Sequence, residues 1–270
     1  MRRTLILALA CFALSPAFAG HGSTGQTNVG RSLRIAAAAD LRYAFEELRV
    51  KFEKKTGIDI VLTYGSSGDF YSQLAEGAPF DLFFSADLEY AKKLDAQQLT
   101  EPGSLDRYAI GRIVLWIPEN SPIDVARLQM NALLDPSVRK IAVANPEHAP
   151  YGRAAVAAIK HSGLYEKISD KFVFGENISQ TAQFVESGNA QIGVIALSLA
   201  VAPAMQGKGA YWKIPGDFYE PIQQGAVIMK SSPNKASARA FLDFLQSADG
   251  KEAMRRYGFE IPGDSPKSAE

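Results

Sequence analysis

Arg34-Ile-Ala-Ala-Ala-Ala-Asp-Leu-Arg-Tyr-Ala-Phe45, read together with Tyr64-Gly-Ser-Ser-Gly68, decides how this chain folds. In each stretch an apolar run stops at small residues and a side chain able to cap a helix, and an amphipathic pattern follows. A strand that ends this way hands over to a helix whose first backbone N–H groups have no partner inside it. Two such helix starts, brought together, form an anion cradle without any cationic side chain.

Outward from these stretches the same grammar continues. The run 33–38 reads as strand, and Leu41, Phe45, Leu48 and Phe52 form one apolar helix face with Gly57 past its end. Strand patterns follow at 58–64 and 81–85, and helical ones at 69–76 (closed by Gly77) and 88–94. A strand region at 107–117 is interrupted around Gly111. The second half repeats the alternation: strands at 141–144, 171–174, 191–196 and 223–229, with helices at 152–162, 181–188, 236–246 and 250–257. Strands alternating with helices of about ten residues predict an α/β protein of mostly parallel sheets covered on both faces. Ligands of such sheets bind outside the carboxyl ends of the strands. The loops at Ala39-Asp40, Ser66-Ser67, Pro150-Tyr151 and Asn177-Ile178 are therefore the candidate site.

The first nineteen residues have the marks of a secretory signal: Arg2 and Arg3, an apolar stretch at 5–14, and Ala17-Phe18-Ala19 as the cleavage site. Residues 20–30 are small and polar, a flexible tail. Cys11, the single cysteine, lies inside the signal and makes a poor lipoprotein-type site because the apolar run before it is too short. The mature chain then has no disulfide and no thiol chemistry. Without Arg2 and Arg3 the 29 basic residues become 27 against 29 acidic ones, a formal charge of −2. That balance, with no basic block, excludes nucleic acid and anionic membrane surfaces as expected partners. No later stretch is long and apolar enough to span a bilayer.

Each candidate residue has a plainer reading. Asp40, Ser66 and Ser67 each precede a helix, so each reads equally as a capping residue. Asp40 is expected to cap, with its backbone N–H free for a ligand. Gly65 and Gly68 let the backbone around the two serines approach something closely. Tyr151 stands at a helix start, where its hydroxyl either reaches a ligand or is half-buried packing. His148, in Pro146-Glu-His-Ala-Pro-Tyr-Gly152, is expected to pin its loop, because no metal-binding partner accompanies it. Trp116, Trp212, Phe83 and Phe84 read as core.

At these residues the chain resembles the periplasmic molybdate-binding proteins of ABC importers. The matching pieces begin with Ala36-Ala-Ala-Ala-Asp-Leu41, Gly65-Ser-Ser-Gly68 and Gln73-Leu-Ala-Glu-Gly-Ala-Pro-Phe-Asp-Leu-Phe-Phe-Ser-Ala-Asp87. Asn145-Pro-Glu-His148 with Pro150, Gln191-Ile-Gly193 and Arg256-Tyr-Gly-Phe259 complete them. The resemblance implies a two-lobed, type II periplasmic binding-protein fold that closes over a tetrahedral oxyanion. It implies one lobe of residues 31–110 and 226–270, another of 111–225, and two crossings, near Gly111 and near Gln224-Gly225. It places the ligand positions on Asp40, Ser67, Tyr151 and Ile178.

Two departures stand out. Many relatives carry Ser or a similar neutral donor where this chain has Asp40, and Ala196 replaces a tyrosine that some relatives use, a loss Tyr151 is suited to make good. A carboxylate beside a dianion in a dry cleft is repelled, so Asp40 must turn away or share a proton. The expected protein is a periplasmic, monomeric, non-enzymatic receptor for molybdate and tungstate, serving an ABC permease, with no cofactor and no metal as a free cation. Two alternatives stand beside it. One is the same fold carrying phosphate or sulfate, with Asp40 as proton acceptor for a protonated ion. The other is a periplasmic hydrolase on Ser67, His148 and an acid, which lacks any local nucleophile motif.

Overall fold

The computed structural model describes residues 32–264. The expected signal segment (1–19) and tail (20–30) lie outside the described residues. In chain order the elements are β1 (Leu33–Ala38), α1 (Arg42–Thr56), β2 (Ile60–Gly65), α2 (Ser67–Ala75), β3 (Leu82–Ser85), α3 (Leu88–Ala96), β4 (Asp106–Gly111) and β5 (Ile113–Pro118). Then come α4 (Val125–Leu128), β6 (Ile141–Ala144), α5 (Pro150–His161), α6 (Tyr165–Ile168), β7 (Phe172–Gly175), α7 (Ile178–Glu186), β8 (Ile192–Ala196), α8 (Leu197–Ala200) and β9 (Gly209–Lys213). The chain closes with β10 (Ile222–Ile228), α9 (Lys235–Gln246) and α10 (Ala248–Arg256).

The strands form two five-stranded sheets, β2-β1-β3-β10-β4 and β7-β6-β8-β5-β9. In each, a parallel trio (β2-β1-β3 or β7-β6-β8) is extended by antiparallel strands. The chain passes from the first sheet to the second at Arg112, between β4 and β5, and returns between β9 and β10. Residues Ile222 to Gly225, assigned to the second lobe by sequence, pair with β4 in the first sheet.

Apolar spacing produces each layer. Helix α1 buries Ala44, Phe45, Leu48 and Phe52, and Gly57 ends it at φ 69°, a left-handed backbone that glycine adopts without strain. Phe45 meets Phe84 of β3 edge-on at 4.8 Å, and Phe241 of α9 joins both at 5.8 Å. Trp116 is fully buried in β5, and Phe83 and Phe84 are buried as expected of core residues. The parallel strands end together, so the loops after β1, β2, β6 and β7 meet where the two sheets face one another.

Buried Asp81 ties the first sheet together. Its carboxylate accepts the Arg34 N–H at 2.8 Å, the Ser232 hydroxyl at 2.5 Å and the Asn234 side-chain amide at 3.2 Å.

Among the described residues no helix is long and apolar enough to cross a membrane, and no group of acidic, His or Cys side chains could hold a metal ion.

Candidate functional site

A small cavity is lined by Ala38, Ala39 and Asp40 after β1, Gly65 to Ser67 after β2, Ala86 after β3, Ala149 to Tyr151 after β6, and Asn177 with Ile178 after β7. These are the four loops marked by sequence, together with the end of β3. Asp40, Ser67, Tyr151 and Ile178 thus stand around one space, although they span residues 40 to 178 of the chain. The cavity measures about 10 Å³, the room of roughly one water. A larger groove of about 420 Å³ lies beside it, lined by residues including Asp87, Glu89, Lys92, Arg153 and Glu220. That groove offers mixed, partly paired charges, with Arg153 bonded to Asp87 at 2.5 Å.

Three helices begin at the small cavity. Ser67 opens α2, Tyr151 is the second residue of α5 behind Pro150, and Ile178 opens α7. First-turn N–H groups have no acceptor within their own helix, and the helix dipole adds partial positive charge there. Asn177 caps α7 by accepting from the Ser179 and Gln180 N–H groups at 3.0 and 3.1 Å. Gly152 is needed where it stands: a Cβ there would lie 2.1 Å from the Ala144 carbonyl oxygen. Only glycine lets the start of α5 sit this close to β6.

The expected capping roles are corrected by the geometry. The Ser66 hydroxyl does not cap α2 but donates across the cleft to the His148 carbonyl at 2.5 Å, and the His148 ring nitrogen Nδ1 lies 3.1 Å from it. His148 does pin its loop, since its carbonyl also accepts the Gly68 N–H at 3.0 Å. Ser67 does not cap either: its Oγ accepts the Ala86 N–H at 2.9 Å, which leaves its own proton to donate elsewhere. Neither serine is set up as a nucleophile, because Ser66 gives its proton to a carbonyl and His148 faces Ser66 rather than Ser67.

Asp40 is corrected most. It lies inside a short 3-10 turn, Ala39–Leu41, and its side chain caps nothing. Instead Oδ2 accepts the Tyr151 hydroxyl at 2.9 Å and the Gln224 amide Nε2 at 2.6 Å. Gln224 also donates to the Tyr151 oxygen at 3.1 Å and accepts the Tyr108 hydroxyl at 2.6 Å. Burial pushes the Asp40 carboxyl up to about 6 from 3.8. Gln224 and Tyr151 pull it down, as do the nearby N–H groups of Asp40 and Leu41. Burial and the Asp40 charge hold the Tyr151 hydroxyl well above the ordinary tyrosine range.

This bears on stability. A carboxyl raised in the folded state stabilises through its neutral form, fully below pH 3.8, and the benefit fades as pH rises through about 6. The expected loss is about 3 kcal/mol across that window. Denaturant titrations of the unliganded protein and its Asp40→Asn variant should diverge by that amount between acid and neutral pH, the variant being the more stable at neutral pH. Parallel curves would show that the carboxyl keeps its ordinary titration.

Sequence reasoning missed Gln224 as a site residue, as well as Ser179 and Ser198. Gln224 is fully buried, and its signal was a polar residue inside the apolar run of β10. Ser198 donates to the Asp40 carbonyl at 2.7 Å, and Ser179 to the Ala39 carbonyl at 2.9 Å. Ala196, two residues before Ser198, is buried in β8.

The family model described as bacterial extracellular solute-binding protein matches residues 33–260. The molybdate-binding protein ModA of Rhodobacter capsulatus is 37% identical over 224 residues, 83% of this chain and 86% of its own. ModA of Azotobacter vinelandii is 37% identical over 231 residues, 85% of this chain and 90% of its own. The solved Azotobacter vinelandii periplasmic molybdate-binding protein superposes with a TM-score of 0.80 at 34% identity, covering 85% of this chain and 99% of that one. The chain belongs to the family of bacterial extracellular solute-binding proteins.

Proposed function

We propose that this protein captures molybdate, and tungstate with it, in the periplasm and presents it to an ABC permease. The observation that carries the reading is the convergence of three helix N-termini and Ser67 on one cavity without a Lys or Arg in its wall, with Tyr151 in the same wall and bonded to Asp40. Such a site replaces an anion's water with fixed neutral dipoles, which suffice where the surroundings are dry. Relatives named for molybdate support the choice of ion. In this reading Asp40, Ser67, Tyr151 and Ile178 contact the ligand, export follows the signal at 1–19, and the receptor acts as a monomer. The cavity as it stands is smaller than a tetrahedral oxyanion, so the lobes part slightly around the bound ion. They turn about Arg112 and the segment between β9 and β10. Residues 32–111 with 222–264 form one moving body and 113–213 the other.

Selection over sulfate follows from size. The smaller ion cannot reach every donor at once, and each buried donor left unpaired costs about 1–3 kcal/mol. Calorimetric competition between molybdate, tungstate, sulfate and phosphate tests this: the first two should win by a wide margin, and sulfate binding as tightly would overturn size selection. Ser67→Ala should weaken molybdate binding by about 1–2 kcal/mol with the fold retained, since it removes one hydroxyl donor to a charged group. Unchanged affinity in that variant would reduce Ser67 to its Ala86 contact.

A further inference from the structure

Asp40 is 1% exposed, and its two oxygens differ. Oδ2 accepts two hydrogen bonds, whereas buried Oδ1 makes none of good geometry, the one such side-chain atom among the described residues, with the Asp40 and Leu41 N–H groups only near the carboxyl. Asp40 also lines the cavity to which the helix starts converge. The titratable groups packed against it are phenols: Tyr151 from α5, Tyr108 from β4 through Gln224, and Tyr219 behind Tyr151. Asp106 acts on Tyr108 from the far side, and His148, with Asp69 and Glu176, sits across the rim beyond Ser66. No Lys or Arg bonds to Asp40, so a charged carboxylate here has no cation to balance it and would face an incoming dianion directly.

Resting on the molybdate reading above, we infer that Asp40 holds the ligand as a neutral carboxylic acid whose Oδ1–H donates to an anion oxygen, so that one proton from solvent enters with each dianion. The proton goes to Oδ1 because Oδ2 is already committed as an acceptor to Tyr151 and Gln224. No covalent bond of the anion changes: solvent supplies the proton, Oδ1 keeps it, and the hydrogen bond replaces one from water. A neutral acid then presents one donor and one doubly accepting oxygen, the same pattern an asparagine would present in that place. The upward displacement of this carboxyl to about 6 sets the window. Above it, each pH unit removes about nine-tenths of the protonated form, and affinity falls about tenfold.

The test is calorimetry with molybdate over a range in which the ion remains the dianion, in pairs of buffers with different heats of ionisation. Wild type should take up close to one proton per anion at about pH 7.5 and weaken about tenfold per unit above about pH 6. Asp40→Asn should take up none, show a flat profile, and bind about a hundredfold more tightly than wild type near pH 8. Tight wild-type binding without proton uptake overturns the inference while leaving the molybdate reading intact. Persistence of uptake in Asp40→Asn also overturns it, by moving the proton to another group. If that variant fails to fold, the wild-type proton count decides alone. Absence of any molybdate binding overturns the proposed function, and this inference with it.

Discussion

Cutting Tyr151 back to alanine is expected to abolish measurable molybdate binding and to lower the unfolding free energy by about 3–5 kcal/mol, the usual cost of emptying a buried aromatic position. The ring is 2% exposed and packed so closely that a Cβ on Gly111 would lie 2.1 Å from its hydroxyl. Its loss leaves a void at the meeting of the two sheets and strips Asp40 of one of its two donors. Tyr151→Phe separates these effects. It fills the space, so stability should move little, while Asp40 Oδ2 loses the hydroxyl that holds it and binding weakens by about 0.5–1.5 kcal/mol. Denaturant unfolding and calorimetry on both variants check this. Normal affinity in Tyr151→Phe would show that ligand binding does not depend on that hydroxyl.

The second large effect is expected far from the cavity. Asp81→Ala should cost about 3 kcal/mol or more of stability and leave the affinity of the remaining folded protein unchanged. The carboxylate holds the backbone of β1, the hydroxyl of Ser232 and the amide of Asn234 in one buried knot, and removing it leaves several buried donors without acceptors. A drop in affinity without loss of stability would contradict this reading. The knot also explains the sequence around it. Glu76-Gly-Ala-Pro followed by Asp81-Leu-Phe reads as a signature of the binding proteins, and its aspartate stitches β1, the start of β3 and the segment after β10 together.

What could be read from the chain, and what could not, divides by distance. The alternation of strand and helix was legible because periodicity and end signals are local: Gly57 ends α1 and Gly77 follows α2, as read. The four loops were legible because parallel strands place their carboxyl ends on one side. Capping was misjudged at Asp40 because the rule looks only two or three residues ahead, whereas its partners lie 111 and 184 residues away. The capping alternative for Ser66 and Ser67 fails for the same reason, their partners being His148 and Ala86. Gln224 drew notice only as a crossing point, since nothing near it in sequence announces a buried amide between two tyrosines and an acid. The strands at β10 and β5 were legible, but not their antiparallel direction: a buried strand has the same apolar pattern whichever way it runs.

The bonds that bridge the cleft have a kinetic consequence. Ser66 to His148, Ser179 to Ala39, Ser198 to Asp40 and Arg153 to Asp87 all join segments that the proposed lobe motion would separate. On the proposed reading none of these bonds is itself made to the ion, so the time a captured ion stays aboard would be set in part by a clasp indifferent to what it encloses. Loosening the clasp, by Ser198→Ala for instance, would shorten residence without altering which ion is preferred. On that reading a transporter that receives the cargo would have a handle other than the ion itself: by pulling these few contacts apart it would empty the receptor faster than free dissociation does.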